Sequence, residues 1–310
     1  MSVLVAGSTG LAGSAIAAAF EHQGHEVVRV NRSVVDLMDL DATKRFLKAT
    51  KPKLVIDAAA KVGGIGANNS YPVEFLADNI RIQSNLMQAA HEADVEKLVF
   101  LGSSCIYPRD CKQPIKEESL MTGPLEPTNS AYAIAKIAGI ELVTSYRKEH
   151  GHKWISLMPT NLYGPRDNFN LQESHVLPAL IRRFVEAAES NAPSVTLWGS
   201  GAPLREFLHV DDLAKAVVVA SQNYDSSMHL NIGTGEDLAI KDLAFMVASL
   251  TGFRGEIIWD VTKPDGTPRK ILDVSRINAL GWKPTIRLED GIASTITWYK
   301  SASASGGVRK

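Results

Sequence analysis

The sequence predicts an α/β protein, with a Rossmann-type, doubly wound parallel sheet and a smaller C-terminal domain. Two observations predict this class. Short apolar runs rich in β-branched residues alternate with amphipathic stretches of helical periodicity from the first residue onward. A glycine-rich turn lies between the first apolar run and the first helical stretch. Strict alternation implies right-handed crossovers, so that parallel strands are covered by helices on both faces.

The first half of the chain shows the most regular alternation. Its predicted strands are short apolar runs bounded by glycine or polar residues: Val3–Ala6, Glu26–Val30, Leu54–Ala58, Lys97–Gly102 and Lys153–Met158. Its predicted helices carry alanine, leucine and isoleucine at helical spacing: Leu11–Gln23, Asp41–Thr50, Pro72–Ala93 and Ala131–His150. We therefore predict a first domain over residues 1–165.

The pattern becomes less regular after Pro159. Helices are predicted at Val176–Ser190, Val210–Asn223, Ile240–Leu250 and Leu288–Lys300, and shorter strands at Ser194–Trp198, Met228–Ile232 and Glu256–Trp259. The segment Thr262–Lys270, which contains Pro264, is predicted to be a loop. Residues 166–300 therefore form a second α/β region, which can return strands or helices to the first domain because no disordered linker separates the two. The small, polar residues 301–310 are predicted to form a flexible tail.

Composition and charge exclude several classes of protein. The 310 residues include 33 Lys and Arg against 34 Asp and Glu, a net charge of -1, which argues against a protein that coats nucleic acid. Two cysteines exclude a disulfide scaffold and a four-cysteine zinc site, and no cluster has the spacing of a metal site. No apolar run reaches the length of about 18 residues that a membrane span needs. We therefore expect a soluble protein of a reducing, cytoplasmic compartment.

The glycine-rich turn is the first candidate binding site. The string Gly7-Ser-Thr-Gly10-Leu-Ala-Gly13 follows the first strand and opens the first helix. Glycines at these positions allow a tight turn, close approach of the backbone to a pyrophosphate and packing of the helix on the strand, while the helix amides face the phosphates. The alternative is a plain strand-to-helix turn. In this context the pattern predicts a dinucleotide site.

The end of the second strand indicates which dinucleotide is bound. An acidic residue there would bond the ribose 2′-hydroxyl of NAD, but this chain has Val30-Asn31-Arg32-Ser33. Arg32 offers a guanidinium to a 2′-phosphate, so we predict NADP (NADPH) as the cofactor. The alternative for Arg32 is a solvated surface charge.

A tyrosine and a lysine lie four residues apart on one predicted helix face, in Tyr132-Ala-Ile-Ala-Lys136. The ammonium is expected to lower the tyrosine pKa, and a positioned phenol can donate a proton to a carbonyl oxygen as hydride reaches the carbon. Ser103 follows the fourth strand, where such sheets bind ligands, and can bond the same oxygen. The glycine turn, the serine and the Tyr/Lys helix together resemble the short-chain dehydrogenase/reductase superfamily, in its extended, sugar-nucleotide-modifying branch.

Several longer strings are more specific than the superfamily pattern. They are Ala58-Ala-Ala-Lys-Val-Gly-Gly-Ile65, Gly102-Ser-Ser-Cys-Ile-Tyr-Pro108, Met158-Pro-Thr-Asn-Leu-Tyr-Gly-Pro165, Ser174-His-Val-Leu-Pro178, Arg205-Glu-Phe-Leu-His-Val-Asp-Asp212 and Pro264-Asp-Gly-Thr-Pro-Arg-Lys270. Over residues 3–300 they resemble the GDP-L-fucose synthase family. That family often carries an arginine in the glycine turn, where this chain has Ser8 and Thr9, so Arg32 becomes the more important candidate for the 2′-phosphate.

The resemblance implies a reaction and its catalytic residues. A GDP-4-keto-6-deoxy-D-mannose is inverted at C3 and C5 and then reduced at C4 with NADPH. Ser103, Tyr132 and Lys136 would serve the reduction, and Cys105 and His175 would exchange protons with the two inverted carbons. Without the longer strings, Cys105 would be interpreted as a packed thiol and His175 as a structural or surface histidine.

The resemblance also implies binding residues and a homodimer. The implied cofactor-binding residues are Gly7, Ser8, Thr9, Gly10, Leu11, Ala12, Gly13, Arg32, Asp36, Leu37, Leu101, Gly102, Ser103, Ser104, Tyr132, Lys136, Pro159, Thr160, Asn161, Leu162 and His175. The implied substrate-binding residues are Arg183, Trp198, Arg205, Asp265 and Lys270. The helices Pro72–Ala93 and Ala131–His150 would pair with a second copy in a four-helix bundle. Gly63 and Gly64 are interpreted as backbone close to the cofactor or the sugar, the alternative being a simple turn.

Two other functions remain open from the sequence. A UDP-sugar 4-epimerase of the same branch would keep NAD bound, and a dehydratase would place acidic residues where this chain has Cys105-Ile-Tyr-Pro108. A non-catalytic nucleotide-sensing protein on the same fold commonly lacks the tyrosine or the lysine. Both Tyr132 and Lys136 are present here, which argues against that alternative.

Overall fold

A computed structural model describes residues 1–263 and 265–309 of the chain. Pro264, which the sequence places in a loop, and Lys310, which it places in the tail, lie outside the described residues. None of the described helices combines the length and the apolar character that crossing a membrane requires.

The strands are numbered along the chain. They are β1 Ser2–Ala6, β2 Glu26–Val30, β3 Leu54–Asp57, β4 Lys97–Leu101, β5 Ile155–Pro159, β6 Asn161–Tyr163, β7 Ser194–Trp198, β8 Leu204–Arg205, β9 Phe207–His209, β10 Leu230–Ile232, β11 Leu238–Ala239, β12 Glu256–Asp260 and β13 Arg269–Lys270. The helices are α1 Leu11–His22, α2 Leu40–Thr50, α3 Ile65–Ser70, α4 Pro72–Glu92, α5 Ser130–His150, α6 Val176–Glu189, α7 Val210–Asn223, α8 Ile240–Thr251, α9 Ser275–Ala279 and α10 Leu288–Ala304.

The strands and helices predicted from periodicity are confirmed, with ends within two residues except at the end of α10. The elements that the sequence did not reveal are short: β6, β8, β9, β11, β13, α3 and α9. A strand of two or three residues shows no alternation, so only its pairing partner defines it. The predicted loop over residues 262–270 is wrong at its end, because Arg269–Lys270 pairs in parallel with Leu204–Arg205.

The first sheet confirms the predicted fold class. Its six strands are all parallel and lie in the order β10-β5-β4-β3-β1-β2. The strand order reverses between β1 and β3, so a crevice opens beyond the carboxyl ends of these strands, where doubly wound sheets bind ligands. The edge strand β10 comes from the second half of the chain and pairs with β5.

Helices cover both faces of this sheet because its strands are apolar on both sides. On one face, Ile16 and Phe20 of α1 and Leu213 and Val217 of α7 pack against β1, β3, β4 and β5. On the other face, α2, α4 and α5 pack against the alternate residues of the same strands, with Phe100 of β4 among the buried side chains. The sheet is therefore a rigid platform, and its loops at the carboxyl ends can carry functional groups.

A second core lies in the C-terminal half. The parallel pair β7–β12 and the helices α6, α8 and α10 enclose a cluster that includes Phe184, Val247, Ile292 and Tyr299. A three-stranded sheet of order β11-β8-β13 adjoins it. Residues 301–304, predicted to be a flexible tail, prolong α10 instead, and the Phe169 amide donates to the Arg309 carbonyl at 3.0 Å. These contacts pack the segment on the loop before α6.

Candidate active site

The glycine turn after β1 has the geometry that a dinucleotide pyrophosphate requires. Gly7 has φ 76°, a conformation that L side chains rarely adopt, and the Gly10 amide donates to the Gly7 carbonyl at 3.0 Å. A Cβ on Gly13 would lie 2.2 Å from the Gly7 carbonyl oxygen, so only glycine lets α1 pack this closely. No side chain among residues 1–263 and 265–309 caps α1, which begins at Leu11, so its first amides remain available to an anion.

Ser8 and Thr9 occupy different environments within this turn. Ser8 is buried, and both its amide and its hydroxyl donate to the Val30 carbonyl at 3.0 Å. Ser8 therefore ties the turn to the end of β2 and has no hydrogen left for a phosphate. Thr9 is exposed at the tip of the turn, and Leu11 and Ala12 are half-buried at the start of α1.

Arg32 extends from the end of β2 into solvent. Its side chain is 84% exposed, and its Nη2 lies 3.7 Å from Asp36 Oδ2. The other Asp36 oxygen accepts from the Met38 amide at 3.1 Å, and Leu37 is buried beside it. An exposed ion pair of this length is weak, so the guanidinium is free to leave Asp36 for a phosphate.

The turn after β4 presents a serine and a thiol. Gly102 packs against Met158, and Ser103 opens a short 3-10 segment, Ser104–Ile106. The Cys105 amide donates to Ser103 Oγ at 3.3 Å, which leaves the hydroxyl proton of Ser103 free for a ligand. Cys105 is 8% exposed.

Tyr132 and Lys136 lie on one face of α5, beside this turn. Lys136 is buried, its Nζ donates to the Leu101 carbonyl at 2.8 Å, and it lies 4.7 Å from the Phe100 ring centroid. The Tyr132 ring packs edge-on against Phe75, with a centroid distance of 6.2 Å. The structure thus brings the predicted tyrosine, lysine and serine together at the carboxyl end of the sheet.

The predicted lowering of the Tyr132 pKa is wrong. Burial raises the pKa of Tyr132, and the neighbouring Cys105 raises it further. Lys136 does not offset this, because its ammonium lies 5.8 Å from the Tyr132 ring centroid and is bonded to Leu101, while burial lowers its own pKa. Tyr132 is therefore a protonated phenol at neutral pH, the form that can donate a proton.

Gly63 and Gly64 contact the backbone before α6. The Gly64 amide donates to the Glu173 carbonyl at 2.6 Å, and a Cβ on Gly64 would lie 2.3 Å from the Ser174 carbonyl oxygen. The two glycines therefore hold the backbone just before His175, which precedes α6. This contact fixes the start of α6 at the active-site edge of the sheet.

The charge of Lys270 acts on both Cys105 and His175. Burial raises the pKa of the Cys105 thiol, and the charge of Lys270 opposes that rise. His175 keeps an exposed surface, and partial desolvation of its ring, together with the charge of Lys270, lowers its pKa. The resting pair is therefore a protonated thiol and a neutral imidazole, a proton donor and a proton acceptor. Lys270, predicted only as a substrate residue, lies opposite Arg205 because β13 pairs with β8.

The other predicted substrate residues surround the end of β7. Trp198 is 66% exposed. Arg183 Nη1 donates to the Thr196 carbonyl at 3.0 Å, two residues before Trp198. Asp265 accepts from the amide and the hydroxyl of Ser200, both at 2.7 Å, and Ser200 lies two residues after Trp198. These bonds hold three of the predicted side chains around one exposed aromatic face.

The family follows from a comparison of the chain with known families. The NAD dependent epimerase/dehydratase family matches residues 3–233. The chain belongs to this family. The match runs from β1 through β10 and so includes the whole six-stranded sheet, with Tyr132, Lys136 and His175.

Relatives within the epimerase/dehydratase family are similar over nearly the whole chain, which confirms the resemblance to GDP-L-fucose synthases. GDP-L-fucose synthase 1 of Arabidopsis thaliana is 52% identical over 96% of this chain and 92% of its own length. GDP-L-fucose synthase of Escherichia coli strain K12 is 51% identical over 96% of this chain and 96% of its own length. A solved GDP-L-fucose synthetase from Naegleria fowleri, bound to NADP, has a TM-score of 0.91 at 30% identity and covers 100% of this chain and 96% of that one.

One acidic residue of this epimerase/dehydratase chain was not singled out from the sequence. Glu206 is fully buried, and its carboxylate accepts from the amides of Thr234, Gly235 and Leu272 at 2.6, 2.7 and 3.0 Å. It therefore ties the segment after β10 to the chain that leads out of β13 and so holds Lys270 in place. In the sequence, only its position directly after the predicted substrate residue Arg205 indicates that Glu206 lies near the site.

The end of β5 leads into the same network. The Thr160 amide donates to the Ile232 carbonyl at 2.9 Å, and Asn161 Nδ2 donates to the Glu206 carbonyl at 2.8 Å. Pro159 is the last residue of β5, and Leu162 is half-buried in β6. This stretch, predicted to contact the cofactor, thus connects the first sheet to the buried Glu206.

Proposed function

We propose that the chain is a GDP-L-fucose synthase, which inverts GDP-4-keto-6-deoxy-D-mannose at C3 and C5 and reduces the C4 ketone with NADPH. The observation that carries this proposal is that Cys105, a proton-exchanging group, shares the turn after β4 with Ser103, whose Oγ accepts from the Cys105 amide at 3.3 Å. The charge of Lys270 acts on both Cys105 and His175, the second proton-exchanging group. A reductase that only moved hydride would need Ser103, Tyr132 and Lys136 alone. Relatives with this printed name share about half of their residues with the chain over nearly its whole length.

Residues 1–165 are proposed to bind the cofactor. The close fit of Gly13 on Gly7 and the uncapped start of α1 suit a pyrophosphate, and Arg32 would bond the 2′-phosphate. When bound, NADPH supplies the hydride for C4. The Naegleria fowleri structure, which is titled as bound to NADP, supports this choice of cofactor.

The C4 oxygen needs hydrogen-bond donors throughout the reaction. C3 and C5 are both α to the ketone, so loss of either proton places negative charge on that oxygen. The Ser103 hydroxyl and the Tyr132 phenol would stabilise this charge during each inversion. In the last step the Tyr132 proton would pass to the oxygen as hydride reaches the carbon.

Each inversion also needs a base on one face of the sugar and an acid on the other. One group removes the proton from the carbon, and the other returns a proton to the opposite face, so that the ketone is restored. Cys105 and His175 are proposed for these two roles, since a thiol and a neutral imidazole both exchange protons near neutral pH.

Residues 166–300 are proposed to hold the GDP end of the substrate. Arg205 and Lys270 would bond the two phosphates, and Arg183 lies at the edge of the same region. Trp198 offers an exposed ring to the base or the sugar. Asp265, which is bonded to the Ser200 amide, would accept hydrogen bonds from ribose or guanine donors.

Consumption of NADPH tests the function. The purified protein is expected to oxidise one NADPH for each GDP-4-keto-6-deoxy-D-mannose supplied, which is measured as loss of absorbance of the reduced nicotinamide. A 4-epimerase or a dehydratase would leave NADPH unconsumed, and so would a nucleotide sensor. Any of those results would overturn the proposal.

Arg32 provides a test of the cofactor. Changing Arg32→Ala should weaken the binding of NADPH more than that of NADH, because a charged hydrogen bond contributes about 1.5–3 kcal/mol, or roughly one to two orders of magnitude in preference. Arg29→Ala is the matched control, since Arg29 also lies on β2 but is bonded to Glu21 at 2.8 Å. Equal losses for the two cofactors in Arg32→Ala would contradict the assignment.

We further propose a cytoplasmic homodimer formed through α4 and α5. Val73 on α4 and Ile134 on α5 are apolar and are 75% and 47% exposed, which suits contact with a second copy. Both cysteines are free thiols, as a reducing compartment would keep them. Sedimentation equilibrium should give twice the chain mass of 33.6 kDa, and Val73→Asp should shift the mass toward the monomer. A wild-type monomer at micromolar concentration would refute the dimer.

A further inference from the structure

A buried carboxyl group, Asp57, lies at the carboxyl end of β3 and has no part in the reaction as described so far. Its side chain is 1% exposed. Neither of its oxygens accepts a hydrogen bond of normal geometry from residues 1–263 or 265–309, and the nearby Ala59 amide has only a minor influence on its pKa. A buried carboxylate without partners is costly, so a nearby positive charge is needed to explain it.

The pairing of the strands places Asp57 on the face of the sheet covered by α4 and α5. Asp57 lies opposite Ala6 of β1 and Phe100 of β4. Side chains alternate along a strand, so Asp57 shares its face with Val55, which packs with Ala6 and Phe100 in the core under α4 and α5. This is the face from which Lys136 reaches the sheet.

Lys136 and Asp57 both flank Phe100. The Lys136 ammonium lies 4.7 Å from the Phe100 ring centroid and donates to the carbonyl of Leu101, the next residue along β4. Leu101 is also the last residue of β4 before the turn that carries Ser103. Lys136 and Asp57 therefore lie in the same part of the core, next to the strand end that leads into the turn with the proposed catalytic groups.

The charges of this pair act on each other. Burial raises the pKa of Asp57 to about 6, and the charge of Lys136 opposes that rise. Burial lowers the pKa of Lys136, and Asp57 is the strongest opposing influence, followed by Cys105. The side chains of Ala6 and Phe100 on the neighbouring strands carry no charge, and Gln83 of α4 is neutral and bonded to the Ala135 carbonyl at 2.7 Å.

We propose that Asp57 is a positioning residue, the buried counter-ion that keeps the Lys136 ammonium charged and directed at the end of β4. The proposal rests on the proposed function for its kinetic consequence but not for the charge interaction itself. An ionised Asp57 holds the ammonium where Lys136 can serve the cofactor ribose and Tyr132. When Asp57 is protonated, the buried ammonium has no carboxylate and loses its proton more readily.

The charge interaction between Asp57 and Lys136 is tested directly by a carbon-13 NMR titration of protein labelled at aspartate carboxyl carbons. Asp57, assigned by its loss in Asp57→Asn, should titrate near pH 6, well above ordinary aspartates. In Lys136→Met its pKa should rise by about one unit or more, because an opposite charge has been removed. An unchanged Asp57 titration in Lys136→Met would overturn the proposal, whether or not the enzyme has the proposed activity.

The kinetic consequence is tested in Asp57→Asn, which keeps the size of the side chain and removes its charge. At pH 7.5 kcat for NADPH oxidation should fall by about tenfold, because Lys136 without the carboxylate loses charge and its hydrogen bonds weaken from those of a charged donor to those of a neutral one. The decline of wild-type kcat below pH 6 that follows from protonation of Asp57 should be absent in the variant.

Two controls separate positioning from damage to the fold. Asp41→Asn removes the same charge from an exposed position of α2 and should leave kcat and its pH profile unchanged. Adding Asp57→Asn to Lys136→Met should cost little more activity than Lys136→Met alone, because the two residues act as one unit. Additive losses, or a wild-type pH profile in Asp57→Asn, would contradict the proposal. No NADPH oxidation by the wild type would instead contradict the proposed function.

Discussion

Replacing Tyr132 with phenylalanine should lower the rate of ketone reduction by about 100- to 10,000-fold, because a positioned proton donor to the C4 oxygen is lost. The ring of Tyr132 packs against Phe75, and phenylalanine preserves this contact. The fold and the affinity for NADPH should therefore be nearly unchanged. The measurement is single-turnover oxidation of NADPH, with the dissociation constant of NADPH determined by nicotinamide fluorescence.

Tyr146→Phe is the matched control for this variant. Tyr146 lies on the same helix but packs against Trp154, away from the turn after β4. Its loss of a hydroxyl should leave the rate of reduction within about twofold, as expected for a partly exposed side chain far from the site. Reduction by Tyr132→Phe at a rate close to wild type would mean that another group protonates the C4 oxygen.

Replacing Cys105 with serine should separate inversion from reduction. Serine has nearly the size of cysteine but a far higher pKa, so it exchanges protons poorly near neutral pH. Inversion at C3 and C5 should be blocked or greatly slowed, while Tyr132, Ser103 and the cofactor can still reduce the ketone. The expected product is an uninverted or half-inverted GDP-6-deoxyhexose, formed slowly and identified by NMR of its C3 and C5 stereochemistry.

His175→Gln should act in the same direction, with a less clean separation, because His175 directly precedes α6 and its replacement also affects the bound substrate. Cys111→Ser is the matched control for Cys105→Ser, since Cys111 is the other free thiol and is only half-buried. Production of GDP-L-fucose by Cys105→Ser at the wild-type rate would show that Cys105 is only a packed thiol.

The sequence predicts the regular part of the fold well because that part depends on local signals. The apolar runs of β1 to β5 and the helical periodicity of α4 and α5 define their own boundaries. The short strands β8 and β13 have no such signal, since two residues become a strand only when a distant segment pairs with them. Their pairing is what places Lys270 opposite Arg205, where its charge acts on Cys105 and His175.

The site was predicted at the level of residue identity and less well at the level of contacts. Tyr132 and Lys136 follow from their spacing on a helix, and Ser103 from its place after a strand. The raised pKa of Tyr132 depends on burial and on where the Lys136 ammonium lies, neither of which a spacing reveals. Similarly, the contact of Gly64 with the backbone before His175 joins two segments that are distant in the sequence, so no local pattern predicts it.

Buried carboxylates were the least predictable feature. Glu206 and Asp57 lie in apolar strings, and the sequence does not distinguish their roles. In the structure Glu206 accepts three backbone amides, whereas Asp57 accepts no hydrogen bond of normal geometry from the described residues. That difference depends on which segments meet around each side chain. It is the reason that Asp57, and not Glu206, is proposed to interact with a buried charge.

The claim that one site performs both inversions and the reduction is tested most directly by NMR of the product formed in deuterium oxide with unlabelled NADPH. The account predicts GDP-L-fucose with deuterium at C3 and C5, because both protons are exchanged with groups that equilibrate with solvent, and with protium at C4, delivered as hydride. A reduced product with protium and the original configuration at C3 and C5 would contradict the account.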